Sequence, residues 1–410
     1  MDASLLVFVA VYLVMIWGRV PGLRLDRTGA ALLGAIAVLG LGVLPLDHAW
    51  RTIDPATIAL LLGLMMVSAR LQLAGFYTAV AAWLAARPTS PQRLLAELIA
   101  TVGGLSAVLT NDVVCLALAP LLLEVCLRRQ LDPVPFLLAL ACAANVGSAA
   151  TLIGNPQNIL IGQALHVDFA RYLLDGGVPA LLGLLVVWLV VVWRCRGRWL
   201  RPLPMRPSGD RPLDRGSSAL ALAVLALLVL GLLCCPLPHG VQALLAGGAV
   251  LLSRRQPCRQ VFEHVDWQLL VLFAGLFVVN GALQHQGHAA NAFGWLAEHG
   301  VDVRRPAVLF PLSAAASNVI SNVPLTMLLL PAVDGVPLAG PILALATTLA
   351  GNLLLVGSIA NLIVVEQAER AGIHPQVRSW ASSHWRTGVP VTLATLAIAA
   401  GWLWLRVALA

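Results

Sequence analysis

Two short polar clusters interrupt stretches that are otherwise apolar. One is Thr110-Asn111-Asp112 within LTNDVVCLALAP (109–120), and the other is Ser321-Asn322 within ISNVPLTMLLLP (320–331). Two further breaks follow them in the chain, ANVGSAATLIGNPQN (144–158) and AGNLLLVGSIAN (350–361). Amide and hydroxyl side chains at such places offer oxygen ligands to a cation and N–H or O–H donors to an anion. Where glycines and Pro156 unwind a helix, freed carbonyls add cation ligands, and the next half-helix turns its positive dipole end toward an anion. The residues these patterns single out as substrate or ion contacts are Thr110, Asn111, Asp112, Gly154, Asn155, Pro156, Asn158, Ser321, Asn322, Gly357, Ser358 and Asn361. The blander role for Thr110, Asn111, Ser321 and Asn322 is N-capping of the outgoing half-helix, which is compatible with binding.

Asp112 is the most informative single residue, because Val323 replaces it in the second cluster. An acid at membrane depth is a functional hypothesis by default. Asp112 is therefore the coupling candidate, set against the simpler role of a first-turn acid stabilised by the helix dipole. Glu97, Glu124 and Glu366 fall near expected cytoplasmic helix ends, where a wetted acid is unremarkable. The nine histidines, His384 among them, fall at expected ends or loops, with no HExxH and no nucleophile elbow. No catalytic residue, resident cofactor or firm metal site is expected. The coupling ion is H+ or Na+, with a candidate sodium site near Asn111 and Asn322.

The elements that hold these clusters must lie in a membrane. The chain has 410 residues, of which 59% are hydrophobic and 11% charged, and its mean hydropathy is +0.87. A soluble surface needs about a quarter charged residues. A soluble enzyme, a nucleic-acid binder and a single-span anchor are thereby excluded. At about 20 residues per span, full spans fall near 4–18, 29–46, 55–70, 134–166, 178–193, 219–235, 240–253, 267–284, 341–366 and 387–405. Residues 94–126 and 306–332 behave differently. The first would make a helix of about 50 Å, against a hydrocarbon core of roughly 30 Å, yet it is too short for two spans and a loop. Each reads as a re-entrant hairpin with its polar tip near mid-membrane, which is tolerated where protein or a watery cavity covers the backbone. The expected fold is all-α, with about ten transmembrane helices plus two re-entrant hairpins.

The net charge of +7 rests on arginine, since the chain has no lysine. With re-entrant hairpins and outside termini, 21 arginines fall inside and five outside (Arg51, Arg171, Arg304, Arg305 and Arg406). That asymmetry satisfies the positive-inside rule, and treating either hairpin as one crossing destroys it. Residues 194–218, rich in Arg, Pro and Gly, form the expected cytoplasmic linker. The seven cysteines lack CxxC spacing and read as small buried hydrophobes. Met1-Asp2-Ala3 lacks a basic leader, so 5–17 reads as a retained span.

The two halves resemble each other. Asp54, Gly63, Gln72 and Gly75 recur 212 residues on as Asp266, Gly275, Gln284 and Gly287. The tips match at 211, and Gly154…Asn158 matches Gly357…Asn361 at 203. The expected organisation is a first repeat at 1–193 (hairpin 94–126, broken helix 134–166), the linker, and a second repeat at 219–410 (hairpin 306–332, broken helix 341–366). Five spans per half, an odd number, make the second half inverted. Inverted repeats with broken helices at the midplane are the build of secondary transporters.

The motifs TND…P, ANVGSAATLIGNPQN, SNVP and GN…GSIAN resemble those of the arsenical-pump (ArsB) and NhaD antiporter families of the ion transporter superfamily, and more distantly the divalent-anion:sodium symporters. The resemblance covers the whole chain. It implies a scaffold-plus-transport-domain protein, usually a homodimer, working by alternating access in the bacterial inner membrane. A cytoplasmic ATPase subunit is implied as partner if the chain is an arsenical pump. Asp112 and Val323 stand where the dicarboxylate symporters have Thr, which points away from dicarboxylates. The expected substrate is a small inorganic anion or oxyanion, with arsenite efflux as the sharpest form. The alternatives are a sodium–proton antiporter and a sodium-coupled anion or dicarboxylate symporter, with an intramembrane enzyme more remote.

Overall fold

A computed structural model describes residues 2–18, 22–23, 25–87, 89–200, 213–252, 256–373 and 377–409. The chain is all-α. Its first half runs α1 (Ala3–Trp17), α2 (Arg27–Gly40), α3 (Leu46–Thr52), α4 (Pro55–Leu73), α5 (Phe76–Ala86), α6 (Pro91–Val108), α7 (Asn111–Arg128), α8 (Pro133–Ser148), α9 (Pro156–Ala164) and α10 (Phe169–Cys195). The second half runs α11 (Arg215–Cys234), α12 (His239–Leu251), α13 (Cys258–Glu263), α14 (Trp267–His285), α15 (His288–Glu298), α16 (Pro306–Ile320), α17 (Asn322–Leu329), α18 (Ala339–Ala350), α19 (Ile359–Arg370) and α20 (Val377–Leu409). Short 3-10 turns follow α17 and precede α19.

Local chemistry sets many of the starts. Asp26, Asp54, Ser90, Asp132, Asn155 and Asp168 each accept a backbone amide at a helix N-terminus. Pro55, Pro91, Pro133 and Pro156 occupy first-turn positions, where the missing N–H costs nothing.

Among the described residues, five helices are long and apolar enough to cross a membrane alone: Pro55–Leu73, Phe169–Cys195, Arg215–Cys234, Trp267–His285 and Trp380–Ala408. The polar tips expected inside 94–126 and 306–332 do break the helices there, between α6 and α7 and between α16 and α17. The spans expected at 134–166 and 341–366 each divide into two half-helices at the Gly-rich breaks. The short helices α3, α5, α13 and α15 fall in stretches too brief to read as spans. Of the expected linker, 194–200 and 213–218 are helix ends and approaches, while 201–212 lie outside the described residues, as do Arg19, Arg24, Arg254 and Arg255.

The helices α1 to α5 begin at residues 3, 27, 46, 55 and 76, and α11 to α15 begin at 215, 239, 258, 267 and 288. Packing follows the same spacing: α12 lies along α4, and α2 lies along α14. At the first contact a Cβ on Gly63 would lie 2.1 Å from the Ala243 carbonyl oxygen; at the second, a Cβ on Gly275 would lie 2.8 Å from that of Ala31. Gly63 and Gly275 are 212 residues apart, as are Ala31 and Ala243. Each contact is thus the other with its two sides exchanged.

These close approaches give a testable ordering. Gly63→Ala should lower thermal stability in detergent by roughly 1–3 kcal/mol, because the helix backbones must separate. Gly275→Ala should cost less. Gly248→Ala, where nothing lies within 4 Å, should be neutral or stabilising. Equal melting temperatures for the three variants would contradict this packing.

Candidate functional site

α8 and α18 carry the site because they sit at the centre, and nearly every residue of each is buried. From α8, Asn145 reaches two other segments. It accepts from Asn111 Nδ2 of the first tip at 3.0 Å and from Ser358 Oγ of the second break at 2.9 Å. Its own amide donates to Asn352 Oδ1 at 2.8 Å and Asn361 Oδ1 at 3.3 Å. One side chain therefore ties the first tip to the second break.

From α18, Thr348 plays the matching part toward the first break. Asn155 Nδ2 and Gln157 Nε2 each donate to Thr348 Oγ1 at 3.2 Å, and the hydroxyl donates to Asn158 Oδ1 at 3.3 Å. Asn145 and Thr348 are 203 residues apart, the spacing of Asn155 to Ser358 and of Asn158 to Asn361. The backbone bonds agree with this register. Asn158 Nδ2 donates to the carbonyls of Ser148 and Thr151, and Asn361 Nδ2 to those of Gly351 and Leu354. Asn155, Asn158 and Asn361 thus hold the unwound backbone in shape, each satisfying groups that a broken helix leaves without partners.

The tips are anchored onto this framework. The Asn111 backbone amide donates to the Gly154 carbonyl at 3.0 Å, and a Cβ on Gly357 would sit 2.6 Å from Asn318 Oδ1, so any larger residue there must displace the Asn318 side chain. Capping by side chains is not what the tips do. Neither Thr110 before α7 nor Ser321 before α17 makes a side-chain cap bond. Ser321 instead has φ 80°, a conformation that costs a non-glycine residue about 1–3 kcal/mol and clusters at functional sites. The Oδ1 atoms of Asn111 and Asn322 are buried without a hydrogen-bond partner.

Both tips open onto one cavity of about 40 Å³. Asn111, Asp112, Ser321 and Asn322 line it, with Pro156 and Gln157 of the first break and Gly357 and Ser358 of the second. Its remaining wall includes Met15, Arg27, Leu269 and Leu272 on α1, α2 and α14. Asp112 has no hydrogen-bond or ion-pair partner among the described residues, and Arg27 uses only Nε, on the Met15 carbonyl at 3.1 Å. A larger recess of about 570 Å³, lined by the 165–168 and 333–341 loops, contains none of the tip or break amides.

Of the residues singled out from sequence, Asn111, Asp112, Pro156, Ser321, Asn322, Gly357 and Ser358 meet at the cavity. Gly154, Asn155, Asn158 and Asn361 shape the breaks behind it, and Thr110 is buried at the start of α7. Sequence reasoning missed Asn145, Thr348, Gln157, Asn352 and Arg27. Asn145 and Asn352 stood inside the quoted motifs, whereas Arg27 was counted only as a cytoplasmic charge. The expectation that all histidines lie at ends or loops fails for His384. It is 2% exposed within α20, with Nε2 3.0 Å from the Asn352 carbonyl. Its flanks, WASSHWRTG, mix polar and aromatic residues and look like a helix end, but α20 runs straight through them.

A family profile described as CitMHS, citrate transporter, matches residues 11–351. This chain belongs to that family. The uncharacterized transporter Rv2684 of Mycobacterium tuberculosis is 30% identical, over 98% of this chain and 97% of its own length. The silicon efflux transporter LSI3 of Oryza sativa subsp. japonica is 28% identical over 94% of each chain. The inner membrane protein YbiR of Escherichia coli is 30% identical over 77% of this chain and 80% of its own. The fold is similar to that of the Alcanivorax borkumensis YdaH transporter, with a TM-score of 0.59 and 16% identity over 98% of this chain and 99% of that one. The protein is an integral membrane transporter of the ion transporter superfamily, and not an enzyme.

Proposed function

We propose that the protein is a secondary active transporter of a small hydroxylated inorganic oxyanion, of arsenite type, working by alternating access between two inverted repeats in a bacterial inner membrane. The observation that carries this reading is the cavity itself. It is far smaller than the roughly 300–1,000 Å³ that buries a drug-sized ligand, yet it exceeds the ~10–15 Å³ that a water needs. Its polar lining is amide and hydroxyl, with one guanidinium and one unpaired carboxylate. A tricarboxylate would bring three negative charges to a single Arg27 and face repulsion from Asp112. A small hydroxylated acid can exchange hydrogen bonds with the tips at little electrostatic cost. The silicon-transporting relative from rice supports a substrate of that kind.

The exchanged contacts, Gly63–Ala243 with Gly275–Ala31 and Asn145–Ser358 with Thr348–Asn155, support the two-fold repeat. An odd number of spans in each half, as the sequence leads one to expect, would make the second repeat inverted. Asp112 is the proton-coupling residue in this reading. The free Oδ1 atoms of Asn111 and Asn322 favour a second form, in which Na+ is the coupling ion.

Purified protein in liposomes, offered arsenite, silicic acid, phosphate, sulfate and citrate under imposed proton or sodium gradients, tests the reading. Saturable movement of arsenite or silicic acid that citrate does not compete is expected; transport of citrate alone would overturn it. Topology offers a separate check. A cysteine in place of Leu213, which is exposed just before α11, should be labelled from the cytoplasm only, and one in place of Ala290 from outside only. Labelling of both from one side would end the inverted arrangement.

A further inference from the structure

The two halves are related by exchange in their framework but not at their gates, and the difference identifies a pair of residues. α4 packs against α9, whose first two residues line the cavity, and toward the other end of α9 Gln163 Nε2 lies 3.3 Å from His239 Nδ1. Phe169 meets the same imidazole edge-on, with ring centroids 6.4 Å apart. The mates of α4 and α9 are α14 and α19, and these do not pack together in the same way. The cavity occupies that place, with Leu269 and Leu272 of α14 and Ile359 of α19 in its wall.

The registers already fixed assign the missing contact. His239 and Arg27 both open their helices and are 212 residues apart. Gln163 and Glu366 are 203 apart, in the same gapless stretch that equates Asn158 with Asn361. Exchanging the halves converts the closed contact Gln163–His239 into Glu366–Arg27. In the present conformer those two groups are separated and otherwise engaged. Arg27 lines the open cavity with Nε on the Met15 carbonyl, and Glu366 bonds Arg370 one turn along α19 at 2.5 Å. Glu366 is half exposed, so its present partner is a surface pair of the kind worth about 0–1 kcal/mol and easily given up.

We propose that Arg27 and Glu366 close the cytoplasmic gate as an ion pair when the site turns outward, taking the part that Gln163 and His239 take on the outer side here. The inference rests on the alternating-access reading. Arg27 then has two states: it faces the substrate cavity while the gate is open and leaves it for Glu366 as the gate shuts. The inner gate is charged on both sides, whereas the outer gate pairs an amide with an imidazole, so the two closures differ in their sensitivity to salt. A bare cation at the cavity mouth would draw an anion in from the cytoplasm. Pairing it with Glu366 removes that attraction when the site must release outward.

Disulfide trapping in native membranes tests this without knowledge of the substrate. Arg27→Cys with Glu366→Cys, and separately Gln163→Cys with His239→Cys, are introduced into the full chain and exposed to a mild oxidant. Both pairs should cross-link, because a cycling transporter visits both closures. Arg27→Cys with Arg370→Cys, one turn beyond, should link at least fivefold more slowly. A third pair, Val113→Cys with Val224→Cys, is the exchange-mate of the Tyr12–Pro324 contact (3.0 Å) and reports inner closure independently. A 113–224 link without a 27–366 link would overturn the proposed gate while leaving alternating access standing. Absence of both inner links, with 163–239 still formed, would overturn alternating access as well.

Discussion

Asn145→Leu should reduce transport to background. The substitution strands the Asn111 amide and the Ser358 hydroxyl as donors, and the Asn352 and Asn361 oxygens as acceptors, all buried. Each orphaned group costs about 1–3 kcal/mol, so the loss is of the order of 5 kcal/mol, comparable to the whole stability of many proteins. A lowered melting temperature in detergent should accompany the loss of flux. Asn145→Asp separates positioning from folding. It keeps the acceptor for Asn111 and Ser358 but turns an oxygen toward the Asn352 and Asn361 oxygens, so at this buried place the carboxyl must hold a proton, which restores one of the two lost donors. In that form it should destabilise less than Asn145→Leu and transport at least tenfold more slowly than wild type. If both variants transport at the wild-type rate, the tie between tip and break is not part of the site.

The other large effect concerns Asp112. Its carboxylate faces the cavity with no partner among the described residues, and the mate position is Val323, which carries no proton. In the proposed proton-coupled reading, proton movement through the tips then depends on the first half alone. Asp112→Asn is nearly isosteric and permanently neutral, and should abolish the acceleration that a pH gradient gives to net flux. Exchange of substrate for substrate should survive, because no net proton crosses. Flux against imposed pH gradients, wild type beside variant at equal protein density, decides the matter. A variant that follows the gradient as wild type does would reduce Asp112 to a first-turn acid of α7.

The fold was legible where local chemistry and hydropathy agree. The tip between α6 and α7 was visible because Thr110-Asn111-Asp112 cannot sit unaided in hydrocarbon, and the break at 149–155 because glycines and Pro156 crowd there. The helix starts were legible to within a few residues wherever an Asp or Asn stands before a proline, as at Asp54-Pro55 and Asn155-Pro156. The short helices α5 and α15 were not, since an 11-residue apolar segment has the same composition as a loop end or a clipped span. At the site, Asn111, Asp112 and Ser358 could be read from type and spacing. Arg27 could not, because its place at the cavity depends on how α2 crosses α14, a tertiary fact with no local trace. Thr348 was hidden for a related reason. It matches Asn145 only in the 203-residue register, where the two side chains differ, and a threonine in a buried helix commonly satisfies its hydroxyl on the preceding turn, as Thr347 does here on the Leu343 carbonyl.

The family is described by citrate transport and the cavity between the tips holds about 40 Å³, so transport against a gradient addresses both the mechanism and the substrate. The most direct measurement is accumulation of arsenite or silicic acid in liposomes containing the purified protein, with an imposed proton gradient as the only energy source. The expected result is uphill accumulation that collapses on adding a protonophore, is unaffected by external citrate, and is absent from Asp112→Asn vesicles. Flux that only runs downhill, unchanged by the protonophore, or accumulation of citrate in its place, would contradict the account.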